Sequence, residues 1–291
     1  MMKRLGKLAA LFFAAMSLCA AAHAQVHASE PPADWAEKPV LRWTIFDVDE
    51  GDAMLLECGG ESMLVDGGPN PFREQLRDAL MARGLEHSMK YMFSTHFHDD
   101  HIDGLYRLFQ YGFTAGEFLH AYSDRTAAED MRMSRTIREA KRNGVPVRRV
   151  VDGDMLTLGD AQLQVMRCLA ISGDNARSLV LKVQYKDASI LLCADIVGQV
   201  QHWFHENRPQ DLLDADLIKA PHHGINRTVT EFLHAVSPET MIITNERRRM
   251  YHETIDQLEH ENLPAYFSGD GTVYAVTDGT DWYVYQTPGE F

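Results

Sequence analysis

The sequence predicts an α/β (α+β) fold in which two β-sheets face each other and helices cover their outer sides. Three observations lead to this prediction. Strands and helices recur in both halves of the chain, several strands are apolar along their length, and residues 40–287 contain no low-complexity linker. Long apolar strands need cover on both faces, which a sandwich with outer helices supplies. We therefore treat residues 40–291 as a single domain.

The first half opens as a meander of strands and then becomes partly helical. Gly59-Gly60 is a hairpin turn, and the helices are expected to stop at Gly84 and Gly144. The predicted strands are Leu41–Val48, Ala53–Glu57, Ser62–Val65 and Tyr91–Thr95, and the predicted helices are Pro71–Arg83 and a helix from a Thr126 cap to Asn143.

The second half alternates strands with helices. A long run of strands comes first, and its last two members are joined at Lys186-Asp187. The predicted strands are Val147–Val151, Leu156–Leu158, Gln162–Cys168, Ser178–Tyr185, Ser189–Ala194, Asp216–Ala220, Met241–Thr244, Ala265–Phe267, Val273–Val276 and Trp282–Tyr285. The predicted helices are Ile196–Glu206, Thr228–Val236 and Thr254–Asn262.

The composition is that of a globular protein with an acidic bias. Of 291 residues, 45% are hydrophobic and 24% charged, which supports a sizeable core and argues against a mostly disordered chain. Lysine and arginine number 28 against 42 aspartate and glutamate, a formal charge of −14. This charge disfavours tight, nonspecific wrapping of nucleic acid or anionic lipid, although a local basic patch is compatible with it.

Residues 1–24 have the layout of a secretory signal peptide. A basic head precedes an apolar stretch of small residues over 8–22, and Ala22-His23-Ala24 forms a small-x-small cleavage site. The apolar stretch is short and alanine-rich for a membrane span. We expect cleavage after Ala24, a periplasmic or secreted protein without a membrane span, and a flexible leader over residues 25–39.

Three cysteines remain after this predicted cleavage: Cys58, Cys168 and Cys193. They allow at most one internal disulfide and contain no C-x-x-C pair, so a thiolate zinc cluster is not expected. We interpret them as small buried side chains and leave their pairing open.

The strongest chemical signal follows the strand Tyr91–Thr95. The run His96-Phe97-His98-Asp99-Asp100-His101 places three imidazoles and two carboxylates in six positions. Neutral imidazole and carboxylate are ligands that zinc, manganese and iron prefer, and the H-x-H-x-D-H spacing offers two pairs to two neighbouring metals. The alternative is a solvated loop that happens to be rich in histidine.

Further motifs follow in order along the chain. With the histidine run, they resemble the metallo-β-lactamase fold superfamily of metallohydrolases, and in particular its ComEC-type branch, over roughly residues 41–275. The motifs are Phe46-Asp47-Val48-Asp49-Glu50-Gly51-Asp52-Ala53, Leu64-Val65-Asp66-Gly67-Gly68, Asn175-Ala176-Arg177-Ser178-Leu179-Val180-Leu181, Leu191-Leu192-Cys193-Ala194-Asp195 and Lys219-Ala220-Pro221-His222-His223-Gly224.

The resemblance implies a four-layer αββα sandwich with two divalent metal ions where the strands end. These ions would be zinc, with manganese or iron as alternatives. The implied ligands are His96 and His98 for one metal, Asp100 and His101 for the other, Asp195 as a bridge, and one histidine of the pair His222-His223. We favour His223 as the ligand and a substrate-facing role for His222.

One departure from the superfamily bears on the substrate. Many members supply a third histidine to the first metal, and the matching stretch here offers Asn175 and Ser178 instead. ComEC-type domains and the phosphorylcholine esterases of choline-binding proteins are similar in lacking it. The resemblance therefore favours phosphodiester chemistry, with Asn175 and Ser178 as substrate-binding residues. His120 is an alternative first-metal ligand, or a surface or core histidine.

Other residues receive roles on the same basis. Asp100 would orient the nucleophile, and Asp66 would hold a ligand histidine by its far nitrogen or serve only as a turn aspartate. Arg247 and Arg248 would bind an anionic substrate or form a solvated charge run. His252 would act as leaving-group acid or phosphate ligand.

These observations predict an exported dinuclear hydrolase that cleaves a phosphodiester by a metal-bridged hydroxide. Two cations can lower the pKa of a bridging water and neutralise phosphoryl oxygens. The expected substrate is a nucleic acid or a small diester. The alternatives are a lactam, lactone or thioester hydrolase of the same fold, and a non-catalytic periplasmic binding protein. The sequence does not predict an oligomeric state.

Overall fold

The chain forms two β-sheets and seven α-helices in a computed structural model that describes residues 24–122, 131–289 and 291. The predicted signal peptide up to residue 23 and the predicted Thr126 cap lie outside the described residues. Within these ranges no helix has the length and apolar character needed to cross a membrane.

The first sheet contains nine strands in the spatial order β1-β16-β15-β2-β3-β4-β5-β6-β7. Antiparallel pairing joins β16 to β4, and parallel pairing joins β4 to β7. Its strands are β1 Val26–His27, β2 Leu41–Ile45, β3 Met54–Cys58, β4 Glu61–Val65, β5 Met89–Phe93, β6 Ala115–His120, β7 Val147–Arg149, β15 Val273–Thr277 and β16 Trp282–Gln286.

The second sheet contains seven strands in the order β14-β13-β12-β11-β10-β9-β8. Strands β8 to β11 are antiparallel, and β11 to β14 are parallel. Its strands are β8 Met155–Leu158, β9 Ala161–Met166, β10 Val180–Tyr185, β11 Ala188–Leu192, β12 Leu217–Lys219, β13 Thr240–Ile243 and β14 Ala265–Phe267.

The helices divide between the outer sides of the two sheets. Helices α1 to α3 pack on the first sheet, and α4 to α7 on the second, through two separate apolar clusters. They are α1 Arg73–Met81, α2 Asp99–Gln110, α3 Met131–Arg142, α4 Gly198–Asn207, α5 Gln210–Leu213, α6 Thr230–Val236 and α7 His252–His260.

Side-chain alternation along the strands produces four layers. In β3, Met54 and Leu56 face the other sheet, whereas Leu55 faces the helices. In β11, Ile190 faces the other sheet and Leu191 faces the helices of its own side. Successive strand residues point to opposite faces, so strands that are apolar along their length satisfy both contacts. The predicted αββα sandwich is therefore confirmed.

Residues 25–39 differ from the flexible leader expected from their composition. Strand β1 pairs in parallel with β16, and Trp35 packs edge-on against Tyr283 with ring centroids 4.8 Å apart. Ala24, at the predicted cleavage site, is buried, and its N–H donates to Asp216 at 3.0 Å. A few apolar anchors hold this segment on the sheet despite its proline-rich composition.

Helix α2 is the main element that the sequence interpretation missed. The sequence suggests that the histidine run is the polar end of a strand, but Asp99 begins a helix with acidic residues in its first turn. Ile102, Leu105 and Leu108 repeat at helical spacing and are fully buried. Strand β6 and the short helix α5 were also missed. Elsewhere the predicted elements are present, with ends shifted by a few residues.

All three cysteines of the described region are free and buried. Burial raises the pKa of Cys193, so its thiol stays protonated. The interpretation of these residues as small core side chains is confirmed.

Candidate metal centre

Polar side chains follow the carboxyl ends of neighbouring parallel strands. Asp66 follows β4 and His96 follows β5 in the first sheet. In the second sheet Asp195 follows β11, His223 follows β12 and Thr244 follows β13. The two sheets meet here, because Leu179 N–H donates to the Thr95 carbonyl at 3.1 Å. The topology thus collects residues from distant parts of the chain at one edge.

Helix α2 carries Asp100 and His101 into this edge. A glycine pair fixes the helix, since a Cβ on Gly104 would lie 1.7 Å from the Gly67 carbonyl oxygen. Gly67 N–H donates to the His101 carbonyl at 2.7 Å, and Gly104 N–H donates to the Gly68 carbonyl at 2.9 Å. The close approach holds the first turn of α2 against the loop that carries Asp66.

Several site residues have a left-handed backbone that side chains rarely adopt. Asp66, Ala194, His222 and His223 have φ values of 56°, 46°, 49° and 52°. His222 and His223 form a tight turn over Pro221–Gly224. Such strain persists only where surrounding contacts fix it, and it is concentrated here at the site.

Four side chains converge in the first of two groups. His101 Nε2 lies 3.2 Å from His223 Nε2 and 3.2 Å from Asp195 Oδ1. His223 Nε2 lies 3.3 Å from Asp195 Oδ1 and 3.1 Å from Asp100 Oδ2. Asp52 adds a carboxylate, and Asp52, His101, Asp195 and His223 each have a potential ligand atom within 4.8 Å of the others. We call these five residues, Asp100 included, the His101 group.

Hydrogen bonds fix which nitrogen of each imidazole faces the group. Thr244 Oγ1 donates to Asp52 Oδ1 at 2.7 Å, so its oxygen accepts from His223 Nδ1 at 2.9 Å. His101 Nδ1 donates to Asp66 Oδ2 at 2.8 Å. In the neutral imidazoles Nε2 then keeps its lone pair and points at the carboxylates. This is the arrangement that metal-ligating histidines need.

The second group consists of His96, His98 and Asp195, whose potential ligand atoms also lie within 4.8 Å of one another. We call it the His96 group. Thr95 Oγ1 donates to Asp66 at 2.5 Å, so it accepts from His96 Nδ1 at 3.1 Å and leaves Nε2 unprotonated. This Nε2 is buried without a hydrogen-bond partner among the described residues and lies 3.6 Å from Asp195 Oδ2. Asp195 therefore belongs to both groups.

Lys219 neutralises part of the negative charge of the site. It is fully buried at the end of β12, with its ammonium 2.7 Å from Asp52 Oδ2 and 3.7 Å from Asp195 Oδ1. The ammonium also donates to the Ala194 carbonyl at 3.0 Å. Burial alone would raise the pKa of Asp52, but Lys219 and the two imidazoles lower it, so this carboxylate stays ionised.

The buried charges fit divalent cations. Four carboxylates and one ammonium carry a formal charge of −3 when the imidazoles are neutral; they belong to Asp52, Asp66, Asp100, Asp195 and Lys219. Burying such an excess is costly unless cations compensate it. Burial alone would lower the pKa of His223, but Asp195 and Asp52 raise it to about 10. Neighbouring carboxylates likewise raise the pKa of His101.

This proton affinity predicts a pH-dependent metal affinity. Cations must displace protons from His101 and His223, so binding at pH 7 should release protons, and affinity should increase as the pH rises towards about 10. Calorimetric titration of chelated protein in two non-chelating buffers of different ionisation enthalpy measures the release. A binding heat that does not depend on the buffer would contradict this prediction.

Asp66 is predicted to position His101 rather than to touch the metals. Asp66→Asn can keep the left-handed backbone but places an amide donor opposite the donors His101 and Thr95. We expect a loss of metal affinity of about 10- to 100-fold, as for other groups that orient ligands. Asp216→Asn is the matched control, because Asp216 is equally buried at the opposite end of β12. An equal loss in both variants would contradict the assignment.

Asn175 and Ser178 lie beside this edge. The Asn175 side-chain nitrogen is 3.2 Å from His222 Nε2, and His222 is half-buried while His223 is fully buried. Asn175 Oδ1 and Ser178 Oγ are both buried without a hydrogen-bond partner within the described residues. Burial lowers the pKa of His222, which keeps its imidazole neutral. His120 packs in the core beside Phe118.

The structure does not bring the predicted arginines to the two groups. Arg248 donates through two nitrogens to the Glu246 carboxylate, and the Arg247 guanidinium lies 5.2 Å from the centre of the Phe267 ring. His252 is exposed at the start of α7, 3.3 Å from Glu253. Arg248 thus has a countercharge of its own, and His252 lies in a cleft next to the His222-His223 turn.

Three residues with clear contacts at the site were not assigned roles from the sequence. Asp52 stands in the quoted motif Gly51-Asp52-Ala53, and Lys219 is a charge that directly follows the apolar pair Leu217-Ile218. A charge inside a buried strand is costly and indicates a partner, so this signal was present. Thr244 carries no comparable signal.

The fold and the two groups define a metallo-β-lactamase-fold hydrolase with a candidate metal-binding site. A family model described as "Metallo-beta-lactamase superfamily" matches residues 46–243. The chain therefore belongs to the metallo-β-lactamase superfamily, whose members are metal-dependent hydrolases.

Individual relatives agree with this assignment. The chain is 24% identical over 229 residues to ComE operon protein 3 of Bacillus subtilis (strain 168), which confirms the resemblance to the ComEC-type branch. The match covers 72% of this chain but only 29% of that relative.

Solved structures show the same fold. The metallo-beta-lactamase fold protein YhfI from Bacillus subtilis superposes with a TM-score of 0.52 at 12% identity, covering 79% of this chain and 96% of YhfI. CmlA, a diiron beta-hydroxylase from Streptomyces venezuelae, gives a TM-score of 0.50 at 14% identity, covering 81% of this chain and 53% of CmlA.

Proposed function

We propose that this chain is an exported dinuclear metallohydrolase that cleaves phosphodiesters. The observation that carries the proposal is the position of Asp195 in both groups, where one carboxylate can bridge two cations. The two-metal geometry suits displacement at phosphorus, in which both the attacking and the leaving oxygen need charge stabilisation. Export rests on the signal-peptide layout of residues 1–24.

The proposed ligands follow from the nitrogen atoms that face each group. His96, His98 and Asp195 would hold one cation, and Asp100, His101, His223 and Asp195 would hold the other. Asp52 lies on the far side of His101 and His223, near their Nδ1 atoms, where it pairs with Lys219. When bound, the cations would lower the pKa of a water molecule and neutralise the phosphoryl oxygens.

The chain's own residues would orient the substrate and handle protons. Asp100 is the most exposed carboxylate of the His101 group, and its side chain is 27% accessible. Burial alone would raise its pKa, but His101 and His223 lower it, so Asp100 is ionised and can orient an attacking water. The half-buried, neutral His222 faces outward from the same turn and would contact a phosphoryl oxygen.

Asn175 and Ser178 support a phosphoryl substrate. Their side-chain oxygens have no hydrogen-bond partner among the described residues and occupy the stretch where other superfamily members supply a third imidazole. Asn175 Oδ1 can only accept a hydrogen bond, so Ser178 is the residue of the two whose oxygen fits a phosphoryl group. The Ser178 hydroxyl can donate to a substrate oxygen. The match to ComE operon protein 3 covers 29% of that relative, and nucleic acid and small diesters are both candidate substrates.

Turnover assays on the mature protein test the proposal. We expect hydrolysis of bis(p-nitrophenyl) phosphate, loss of that activity in His98→Ala, and wild-type activity in the exposed-residue control Asp187→Ala. Nitrocefin and acyl-lactone substrates form the comparison. Turnover of these substrates alone, abolished by His98→Ala, would favour the lactam or lactone alternative. Stoichiometric metal binding without turnover of any diester would contradict the proposed function.

A further inference from the structure

A cleft of about 420 Å³ opens directly after the His222-His223 turn. The segments 225–227 and 251–253 line it, and they contribute Ile225, Asn226, Arg227, Tyr251, His252 and Glu253. This cleft is separate from the two metal groups, and the proposed mechanism uses none of its residues apart from the predicted role of His252.

The cleft is fixed next to the metal groups. Ile225 N–H donates to the His222 carbonyl at 3.0 Å, and Thr254 Oγ1 donates to the Gly224 carbonyl at 2.9 Å. Gln257 makes two hydrogen bonds with the Thr228 backbone, which ties the next residues to α7. Arg227 stands four residues after His223, so their Cα atoms are at most about 14 Å apart. A substrate longer than one diester linkage would reach both places.

Arg227 has an environment different from that of Arg248 and Arg249. Its guanidinium is exposed and has no ion pair or hydrogen bond to any described residue. Arg248 and Arg249 are both paired with Glu246, and Arg249 also contacts Asp49 at 2.9 Å. The chain has a formal charge of −14, and Arg227 is an exposed cation without a countercharge among the described residues. It is available for an anion supplied from outside.

Tyr251 supplies an aromatic surface to the same cleft. It is 58% exposed, which is unusual for a large aromatic side chain and leaves its ring open for stacking. Glu253 is the one acid of the lining, and its carboxylate lies 3.3 Å from His252 Nδ1. A cation and an exposed aromatic ring that line the same cleft match a ligand in which a phosphate is joined to a planar ring.

We propose that Arg227 and Tyr251 determine substrate specificity by binding a phosphate and an attached planar ring of the substrate, one linkage or more from the scissile diester. This proposal rests on the proposed phosphodiester chemistry and deepens it. It distinguishes ring-bearing diesters, such as nucleotide chains, from small aliphatic diesters, which would not fill the cleft.

Equilibrium binding tests this proposal separately from turnover. The probes are two short 3′-fluorescein oligomers of equal length and charge, an oligothymidylate and an abasic analogue, both linked by phosphorothioates so that they resist cleavage. Fluorescence anisotropy is measured with the metal-loaded protein. Arg227→Gln should weaken binding of both probes about tenfold, because it removes a charge-assisted contact. Tyr251→Leu should weaken only the oligothymidylate, also by about tenfold, because it removes stacking.

Matched variants serve as controls. Arg142→Gln removes an exposed arginine that is paired with Glu139 on α3 and should leave both affinities unchanged, as should Tyr251→Phe, which keeps the ring. Absence of wild-type binding, or equal effects of Arg227→Gln and Arg142→Gln, would overturn the proposal. Failure of the proposed function would instead appear as probe binding without hydrolysis of bis(p-nitrophenyl) phosphate.

Discussion

Replacing Asp195 with alanine is expected to abolish phosphodiester turnover and to lower metal content. Asp195 is shared by the His96 group and the His101 group, so its loss would remove a potential oxygen ligand from both cations of the proposed centre at once. The drop in kcat/KM should exceed about a hundredfold, the upper end for residues that only orient a ligand. Turnover of bis(p-nitrophenyl) phosphate and metal content by mass spectrometry measure the two effects together.

Two further variants make this test decisive. Asp195→Asn keeps the side-chain shape while removing the charge, and it should lose turnover while remaining folded. Asp187→Ala removes an exposed aspartate of the β10–β11 turn and should behave like the wild type. If Asp195→Asn retained both metals and most of its activity, Asp195 would not be the bridging ligand.

Replacing Lys219 with methionine is expected to cause the largest loss of stability. Lys219 and Asp52 are both fully buried and form an ion pair at 2.7 Å, and methionine would leave the Asp52 carboxylate without its cation. Breaking a buried pair in this way costs about 3–5 kcal/mol. The free energy of unfolding from urea titrations of the metal-free protein measures this cost.

Two comparisons isolate the electrostatic cause. Lys90→Met removes the half-exposed partner of Glu61 and should cost no more than about 1 kcal/mol. The double variant Lys219→Met with Asp52→Asn removes both charges and should recover part of the lost stability. If the double variant were as unstable as the sum of the two single variants, the loss would come from packing rather than from an unpaired charge.

The sandwich was predictable because the apolar patterns that indicate it lie within single strands. Strand β11, Ala188–Leu192, has Ser189 as its only polar residue, and such an apolar strand indicates burial on both faces, as the structure confirms. The histidine run also signals its chemistry locally. Helix α2 was missed because its first turn is polar and the apolar residues at helical spacing begin only at Ile102.

Pairings between distant residues were not predictable in the same way. Lys219 and Asp52 are 167 positions apart, and only the parallel strands of the second sheet and the loop before β3 bring them together. A run of three arginines suggested an anion site, but Glu246 neutralises two of them, whereas Arg227, outside the run, has no ion pair with any described residue. The composition gives the net charge of the chain, whereas only the fold shows which charged side chains already form ion pairs.

Counting bound metal in the wild-type protein and in one variant is the sharpest test of the dinuclear centre. We expect about two divalent cations per chain in the wild type and about one in the double variant His96→Ala with His98→Ala, which leaves the His101 group intact. Mass spectrometry after loading and desalting counts the ions. A wild-type chain that retains no more than one ion, or a variant that still retains two, would contradict the dinuclear centre.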